Sequence, residues 1–401
     1  MGTSHPVGGR APIHAFYSSK SWIEGNATRQ LEDVAELDGV TAVAAMPDLH
    51  VGKYGPVGAS ILADAIHPQF AGSDIGCGMG LFQLDLPLRK LRLDTTAERL
   101  SVLEGPSVEH ELAARPALVF AGLGDSAFNG SIGTVGGGNH FCEVQAIDEV
   151  FYEGAAAAAG LDRDRAVVLV HSGSRGLGSS ILQQQFKDGV RGLDPDSAAG
   201  RAYLEAHDGA VVWARINRQM IASRAAAALR AGFEVVADLS HNFVERRDDG
   251  VLHRKGTAPA DRGLVPIPGS RGTLSYLVEP LAAGRAETLA SLAHGAGRKF
   301  DRGSMHGRVR TTKSELTRLQ RNPFGGYVVC ENRNLLIEEA PEAYKGIDRV
   351  IADLEEFGLA RVVATFRPLV TFKTARGADW HERASKPQRG GKRERERENW
   401  R

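Results

Sequence analysis

The chain has 401 residues and carries 49 basic and 49 acidic side chains, a formal net charge of zero. It is therefore no globally cationic nucleic-acid coat protein, and any polyanion must be met by a local patch. Apolar content of 42% supports a large core, read here as one large domain. Three cysteines, at 77, 142 and 330, are too few and too scattered for a disulfide framework. No apolar run approaches the ~20 residues that span a bilayer, and the N-terminus lacks a signal peptide's apolar core. The expectation is a soluble, cytoplasmic, monomeric protein.

In chain order, apolar and β-branched runs between glycine-rich turns predict strands over 40–45, 81–86 and 166–170, then 233–237, 327–330 and 362–366. Helical periodicity predicts one long helix from Asp196 to Leu229 closed by Gly232, and shorter ones over 281–292 and 347–357. The elements make a mixed α/β or α+β chain whose unusual residues sit at strand ends and in loops. The predicted division is a catalytic unit over 1–373 and a charged tail over 374–401, where apolar content falls away and the chain ends SKPQRGGKRERERENWR.

Five segments share one pattern, a potential metal ligand flanked by glycine or small polar residues at the end of an apolar run. They are Gly72-Ser-Asp-Ile-Gly-Cys-Gly-Met79, Gly136-Gly-Gly-Asn-His-Phe141, His171-Ser-Gly-Ser-Arg-Gly176, Leu239-Ser-His-Asn242 and Ala293-His-Gly-Ala-Gly-Arg298. A lone histidine beside a strand is usually structural, but five such segments together reverse that preference. Asp74 and Cys77, three residues apart among glycines, can turn toward one ion. With His140, His171 and His241 they supply more donors than one tetrahedral zinc requires, which suggests two divalent ions. Cys142 and Cys330 lie in apolar runs and read as structural.

Phosphate-handling groups are present as well. Pro268-Gly-Ser-Arg-Gly272 and His171-Ser-Gly-Ser-Arg-Gly176 combine glycine-freed amides, hydroxyls and an arginine, without the spacing of a Walker loop. The basic pairs Arg246-Arg247, Arg254-Lys255 and Arg298-Lys299 are expected to receive phosphates.

Met46-Pro-Asp-Leu-His50, Asp74-Ile-Gly-Cys-Gly-Met79, Gly136-Gly-Gly-Asn-His-Phe141, His171-Ser-Gly-Ser-Arg-Gly176, Arg254-Lys-Gly-Thr257, Pro268-Gly-Ser270, His294-Gly-Ala-Gly-Arg298 and Glu342-Ala-Tyr-Lys345 resemble, in order, the signature series of the RtcB family of RNA-splicing ligases. The resemblance implies a ligase that uses GTP and Mn²⁺ to join an RNA 3′-phosphate or 2′,3′-cyclic phosphate end to a 5′-hydroxyl end, in RNA repair. It implies that Asp74, Cys77, His140, His171 and His241 hold two metal ions and that His294 is guanylylated. Asn139, Glu143, Ser270, Ala296, Arg298, Tyr344 and Lys373 would form the nucleotide pocket. An α+β fold of one large domain, with mixed sheets surrounding a central metal site and flanked by helices, and a release-factor-like partner are further implications.

The chain departs from the family's pattern at Ala293 before the reactive histidine, at Arg271 in Pro-Gly-Ser-Arg-Gly, and at Lys299-Phe-Asp-Arg302. A further 28 residues follow Lys373. Two competing readings are a metal-dependent RNA phosphoesterase, for which a guanylylated histidine would be superfluous, and a non-enzymatic RNA-binding factor working through its tail.

Overall fold

Three sheets form the computed structural model, which describes residues 10–189, 191–281 and 285–374. The largest has eight strands, and its main path runs Val265–Ile267, Ser275–Pro280, Ala360–Thr374, Phe141–Val150, Arg165–Ser172, Gly78–Pro87 and Phe233–Ser240. Those neighbours are all antiparallel, and Tyr327–Cys330 adds to Ala360–Thr374 in parallel. A five-stranded sheet runs Ile13–Ala15, Val40–His50, Val57–Ala63, Gly250–Lys255 and Asn242–Arg247. Thr257–Pro259 pairs with Ser291–Ala293 in a small third sheet. The mixed α+β expectation holds, and all six predicted strands are present, most of them longer than read. The tail beyond Thr374 lies outside the described residues.

The long helix, Ala198–Leu229, starts where Ser197 accepts the Gly200 N–H at 2.9 Å, as a small polar N-cap should. It buries Ile221, Ala222 and Ala225 against Phe82 and Val168 of the eight-stranded sheet. Its end differs from the reading. Arg230 takes the left-handed terminating conformation, φ +57°, and Gly232 instead brings its N–H to Asp85 Oδ1 at 2.7 Å. The helix expected over 281–292 is absent from its described part. A short 3-10 turn at Ala286–Thr288 is followed by Leu289 and Ala290 at positive φ and by strand Ser291–Ala293. Residues 282–284 lie outside the described set. Leu289, Leu292 and Ala293 are buried in a core with Met46 and Leu252, so tertiary burial overrode local helix propensity. The helix read over 347–357 appears as Ile347–Glu356.

Neighbouring strand ends gather the chemistry. Gly78 pairs with Ser172 on one side and with Ser240 on the other, and Phe141 pairs with His171. The residues just outside or within these ends are Cys77, His140, His171 and His241. Arg218 of the long helix, 1% exposed, ties them together. Its Nε donates to Asp238 Oδ1 at 2.6 Å, its Nη1 to the carbonyls of Gly76 (2.7 Å) and Ser172 (3.1 Å), and its Nη2 to Ser240 Oγ (3.3 Å). The adjacent Asn217 donates to Ser172 Oγ at 3.0 Å and accepts the Gly133 N–H at 2.7 Å.

Arg218→Met should leave the buried Asp238 carboxyl with only the more distant Arg215, at 4.0 Å, and orphan the carbonyls of Gly76 and Ser172, a loss on the order of 3 kcal/mol. Urea midpoints of the two proteins measure it. A shift worth under about 1 kcal/mol would show that the clamp is dispensable.

Candidate functional site

Cys77 follows a turn in which its N–H donates to the Asp74 carbonyl at 3.1 Å, so the thiol and the carboxylate face the same space. Cys77 Sγ lies 3.1 Å from His171 Nε2 and 3.4 Å from His140 Nε2. His140 Nε2 in turn lies 2.8 Å from Asp74 Oδ2. A Cβ at Gly173 would collide with the Asp74 carboxylate, so the Ser-Gly-Ser segment needs glycine to close over it. His241 stands one ring further along, its centroid 5.2 Å from His171 and 4.6 Å from His294.

The donor atoms of Cys77, His140 and His171 lie within 4.8 Å of one another, a spacing that one ion can bridge. Asp74 Oδ1 is buried without a hydrogen-bond partner, an orphaned acceptor on the carboxylate whose Oδ2 meets His140. Burial, then neighbouring imidazoles, push His171 and His241 well below the usual histidine range, so both are neutral with lone pairs available at pH 7. Burial, then Asp74, push the Cys77 thiol well up, so cation binding would displace its proton. Burial would raise the Asp74 carboxyl, but His140 and Arg175 hold it below its ordinary value. This donor set fits a divalent metal.

His294 follows the short strand Ser291–Ala293, whose partner strand begins at Thr257, and the Thr257 N–H donates to the His241 carbonyl at 3.2 Å. That chain of contacts sets His294 beside His241. Asp48 fixes its ring, since Oδ2 lies 2.6 Å from Nδ1 and also accepts the His294 backbone N–H at 3.1 Å. A carboxylate on Nδ1 keeps the proton there and leaves Nε2 with the lone pair. Asp48 is fully buried, and Lys345 Nζ donates to the carbonyls on either side of it, those of Pro47 and Leu49. A Cβ at Gly297, φ +71°, would strike the Asp48 carbonyl, which explains a glycine there.

A cavity of about 480 Å³ opens onto these groups, and Asp74, Cys77, His171, His241 and His294 line it. So do Asn139, Glu143, Ser270, Ala296, Arg298, Tyr344 and Lys373, the seven residues expected to bind a nucleotide. His140 reaches the cavity's edge through Cys77 and Asp74. Glu143 is held by Thr371 and by Gln145 (2.7 Å), and burial raises its carboxyl above the ordinary value. Lys373 donates to the His140 carbonyl at 3.0 Å, and burial brings its ammonium down to about 8. The Asn139 carbonyl lies 3.2 Å from His171 Nδ1 and orients that ring.

Sequence reading missed the hub of this wall, Glu339. It receives Arg298 Nη1 at 3.0 Å, Arg302 Nε at 3.1 Å and the Tyr344 hydroxyl. Burial would raise its carboxyl, but Lys373, Arg298 and Arg302 outweigh burial and lower it. Arg298 lies 5.3 Å from the Tyr344 ring centre, and its other nitrogens donate to the Phe300 and Glu338 carbonyls. The departure at Arg271 is absorbed in the same way, its guanidinium donating to the carbonyls of Glu339 and Leu336, both at 2.8 Å. Asp48 had a signal, a carboxylate inside an apolar run ending at His50. Glu339 had none, because it reads like the exposed-side acid Glu338 before it.

Three expected phosphate receivers are elsewhere. Arg246 pairs with Asp196 at 2.9 Å and Arg247 with Asp249 at 3.0 Å, on the outer hairpin. Arg254 is buried against Glu245 (2.6 Å) and Ser291. Adjacency in sequence misled here, because Arg246 and Arg247 lie at the hairpin end of their strand, opposite Val251 and Gly250, while Asn242, next to His241, is at its other end. Lys255, whose ammonium donates to the Gly55 carbonyl at 3.2 Å, is also off the cavity wall. Lys299 is not on the cavity wall either.

Thiolate and imidazole donors beside a carboxylate-tethered histidine, all on one cavity, are the equipment of a metal-assisted group-transfer enzyme. The comparisons specify the family. The profile described as "tRNA-splicing ligase RtcB" matches residues 30–113 and 125–374. RNA-splicing ligase RtcB2 of Escherichia coli is 43% identical over 91% of this chain and 96% of its own. The tRNA-splicing ligase RtcB of Archaeoglobus fulgidus is 30% identical over 91% and 95%, and the RNA-splicing ligase RtcB of Mycobacterium tuberculosis 32% over 85% and 99%. The chain belongs to the RtcB family of RNA-splicing ligases. Among the described residues, no helix is long and apolar enough to cross a membrane.

Cys77→Ala should weaken Mn²⁺ binding by more than about tenfold, read by calorimetric titration of metal-stripped protein. Equal affinity in the variant would remove Cys77 from the donor set.

Proposed function

We propose that the chain is a GTP- and Mn²⁺-dependent RNA ligase that joins RNA 3′-phosphate or 2′,3′-cyclic phosphate ends to 5′-hydroxyl ends through a guanylylated His294. The observation that carries this reading is the 2.6 Å contact of Asp48 with His294 Nδ1, which fixes the ring on the cavity wall with Nε2 as the nitrogen free to react. Asp74, Cys77, His140, His171 and His241 would hold two ions. When bound, the ions neutralise phosphate charge and orient the displacement.

His294 Nε2 forms a bond to the α-phosphorus of GTP as the bond to pyrophosphate breaks. Asp48 holds the Nδ1 proton throughout and stabilises the positive charge that develops on the ring. For a 2′,3′-cyclic end, water first adds to the phosphorus as its bond to the 2′-oxygen breaks, which leaves a 3′-phosphate. A phosphoramidate is a reactive carrier, so the GMP then passes to the RNA 3′-phosphate as the bond from phosphorus to His294 Nε2 breaks. The 5′-hydroxyl then attacks the activated phosphate and GMP leaves. Asn139, Glu143, Ser270, Ala296, Arg298, Tyr344 and Lys373 would seat the nucleotide. The buried Glu143 carboxyl and the Lys373 ammonium supply an acceptor and a donor for a base edge, and Tyr344 presents an aromatic wall. Residues 1–373 would form the catalytic unit.

Incubation with α-labelled GTP and Mn²⁺ should give a covalent GMP adduct that is acid-labile and base-stable, and His294→Ala should abolish it. An adduct that persists in His294→Ala would overturn the reading. Asp48→Asn should keep the fold and slow adduct formation by about 10²–10⁴-fold, because the ring loses its tautomer control. A rate within threefold of the parent would show that Asp48 does not orient the nucleophile.

A further inference from the structure

Next in sequence to the cavity-wall residues Asp301 and Arg302, the Phe300 ring meets that of Trp22, with centroids 6.3 Å apart at 58°. Trp22 is 41% exposed and belongs to none of the apolar clusters among the described residues. A tryptophan that gains so little from burial presents an aromatic face to solvent. Phe300 is held from behind, since the N–H groups of Lys299 and Phe300 both donate to the Ala343 carbonyl, at 2.8 and 3.2 Å.

Two cations stand over these rings. Lys299 Nζ is 6.0 Å from the Trp22 centre and 5.4 Å from that of Phe300, and the Arg308 guanidinium is 3.7 Å from Phe300. Among the described residues neither cation has an ion-pair partner. Asp301, the carboxylate on the same turn, is engaged as the N-cap of helix Arg302–Arg308, accepting the Ser304 N–H at 3.0 Å. The corner is thus aromatic and cationic together, the combination that binds unpaired bases and their phosphates. It arises where the chain reads Lys299-Phe-Asp-Arg302, one of its departures from the family's series.

We propose that Trp22 and Phe300, with Lys299 and Arg308, form a stacking platform for an unpaired base of the RNA strand entering the cavity. The proposal rests on the RNA-ligase reading above. An unpaired strand is favoured over a duplex because only a splayed base offers a face to Trp22, whereas stacked bases in a helix do not. The flanking phosphates then lie against Lys299 and Arg308.

The test compares the full-length protein with Trp22→Ala, Trp22→Phe and the double variant Lys299→Ala/Arg308→Ala. Three readouts are binding of a fluorescent single-stranded RNA 10-mer, KM for RNA in ligation, and guanylylation with labelled GTP in the absence of RNA. Trp22→Ala should weaken 10-mer binding about tenfold or more and raise KM to match, while Trp22→Phe retains most of the affinity. The double variant should lower the salt slope of log K by about 1.4, since each single-strand phosphate contact contributes about 0.7. All variants should guanylylate at the parent rate.

Parent-like binding by Trp22→Ala overturns the platform. So does an equal loss in Trp22→Phe, which would mean shape rather than stacking, or a matching loss of guanylylation, which would place the corner in the nucleotide site. Equal weakening for a blunt duplex would overturn the unpaired-base specificity. Absence of guanylylation in the parent protein would instead sink the ligase reading, and the binding comparison would still judge the platform.

Discussion

One buried guanidinium holds the site together. Arg218 links the Gly76 and Ser172 carbonyls, the Ser240 hydroxyl and the Asp238 carboxylate. Gly76, Ser172 and Ser240 sit one residue from Cys77, His171 and His241, at three neighbouring strand ends. Strand pairing fixes the register of those ends, but pairing alone leaves the last residues of each strand free to fray. A planar fork with five donors, anchored on a helix of 32 residues, removes that freedom. Asn217, one residue earlier, performs a similar task for the Gly133 and Ser172 segments. The candidate metal ligands therefore sit on a rigid frame whose rigidity comes from groups that never reach the cavity.

The same economy of placement governs His294. His294 belongs to a loop, and loops alone position side chains poorly. Here the loop is fastened twice to Asp48, through its ring and through its backbone N–H, and Asp48 is itself fastened by Lys345 on both flanking carbonyls. In a buried setting such contacts are worth more than they would be in water. Burial also keeps the imidazoles of His171, His241 and His50 neutral, His50 down to about 4. Several histidines can then share one small volume without mutual repulsion.

Much of this was legible in the sequence because the ligands carry glycine beside them, and glycine there has a steric cause. At Gly173 and Gly297 a side chain would collide with Asp74 and with the Asp48 backbone. The strands were legible from their apolar, β-branched runs, and the long helix from its period. Elements decided by tertiary packing were not. The segment through Leu289 and Leu292 has helical composition but becomes a turn and a strand, because its leucines fill the core beside Met46. Glu339 and Arg218 were equally hidden, since a buried charge and a solvated one have the same letter. The basic residues Arg246, Arg247 and Arg254 were misplaced for the converse reason, proximity in sequence to ligands without proximity in space.

The account turns on one bond, between His294 Nε2 and a nucleotide phosphorus. Tryptic digestion at neutral or alkaline pH, followed by mass spectrometry, would locate it, because the peptide Ala286–Arg298 contains His294 as its single histidine and no lysine. After incubation with GTP and Mn²⁺ that peptide should carry the added mass of GMP and lose it on mild acid treatment. GMP found on a lysine-containing peptide elsewhere in the chain would contradict the account.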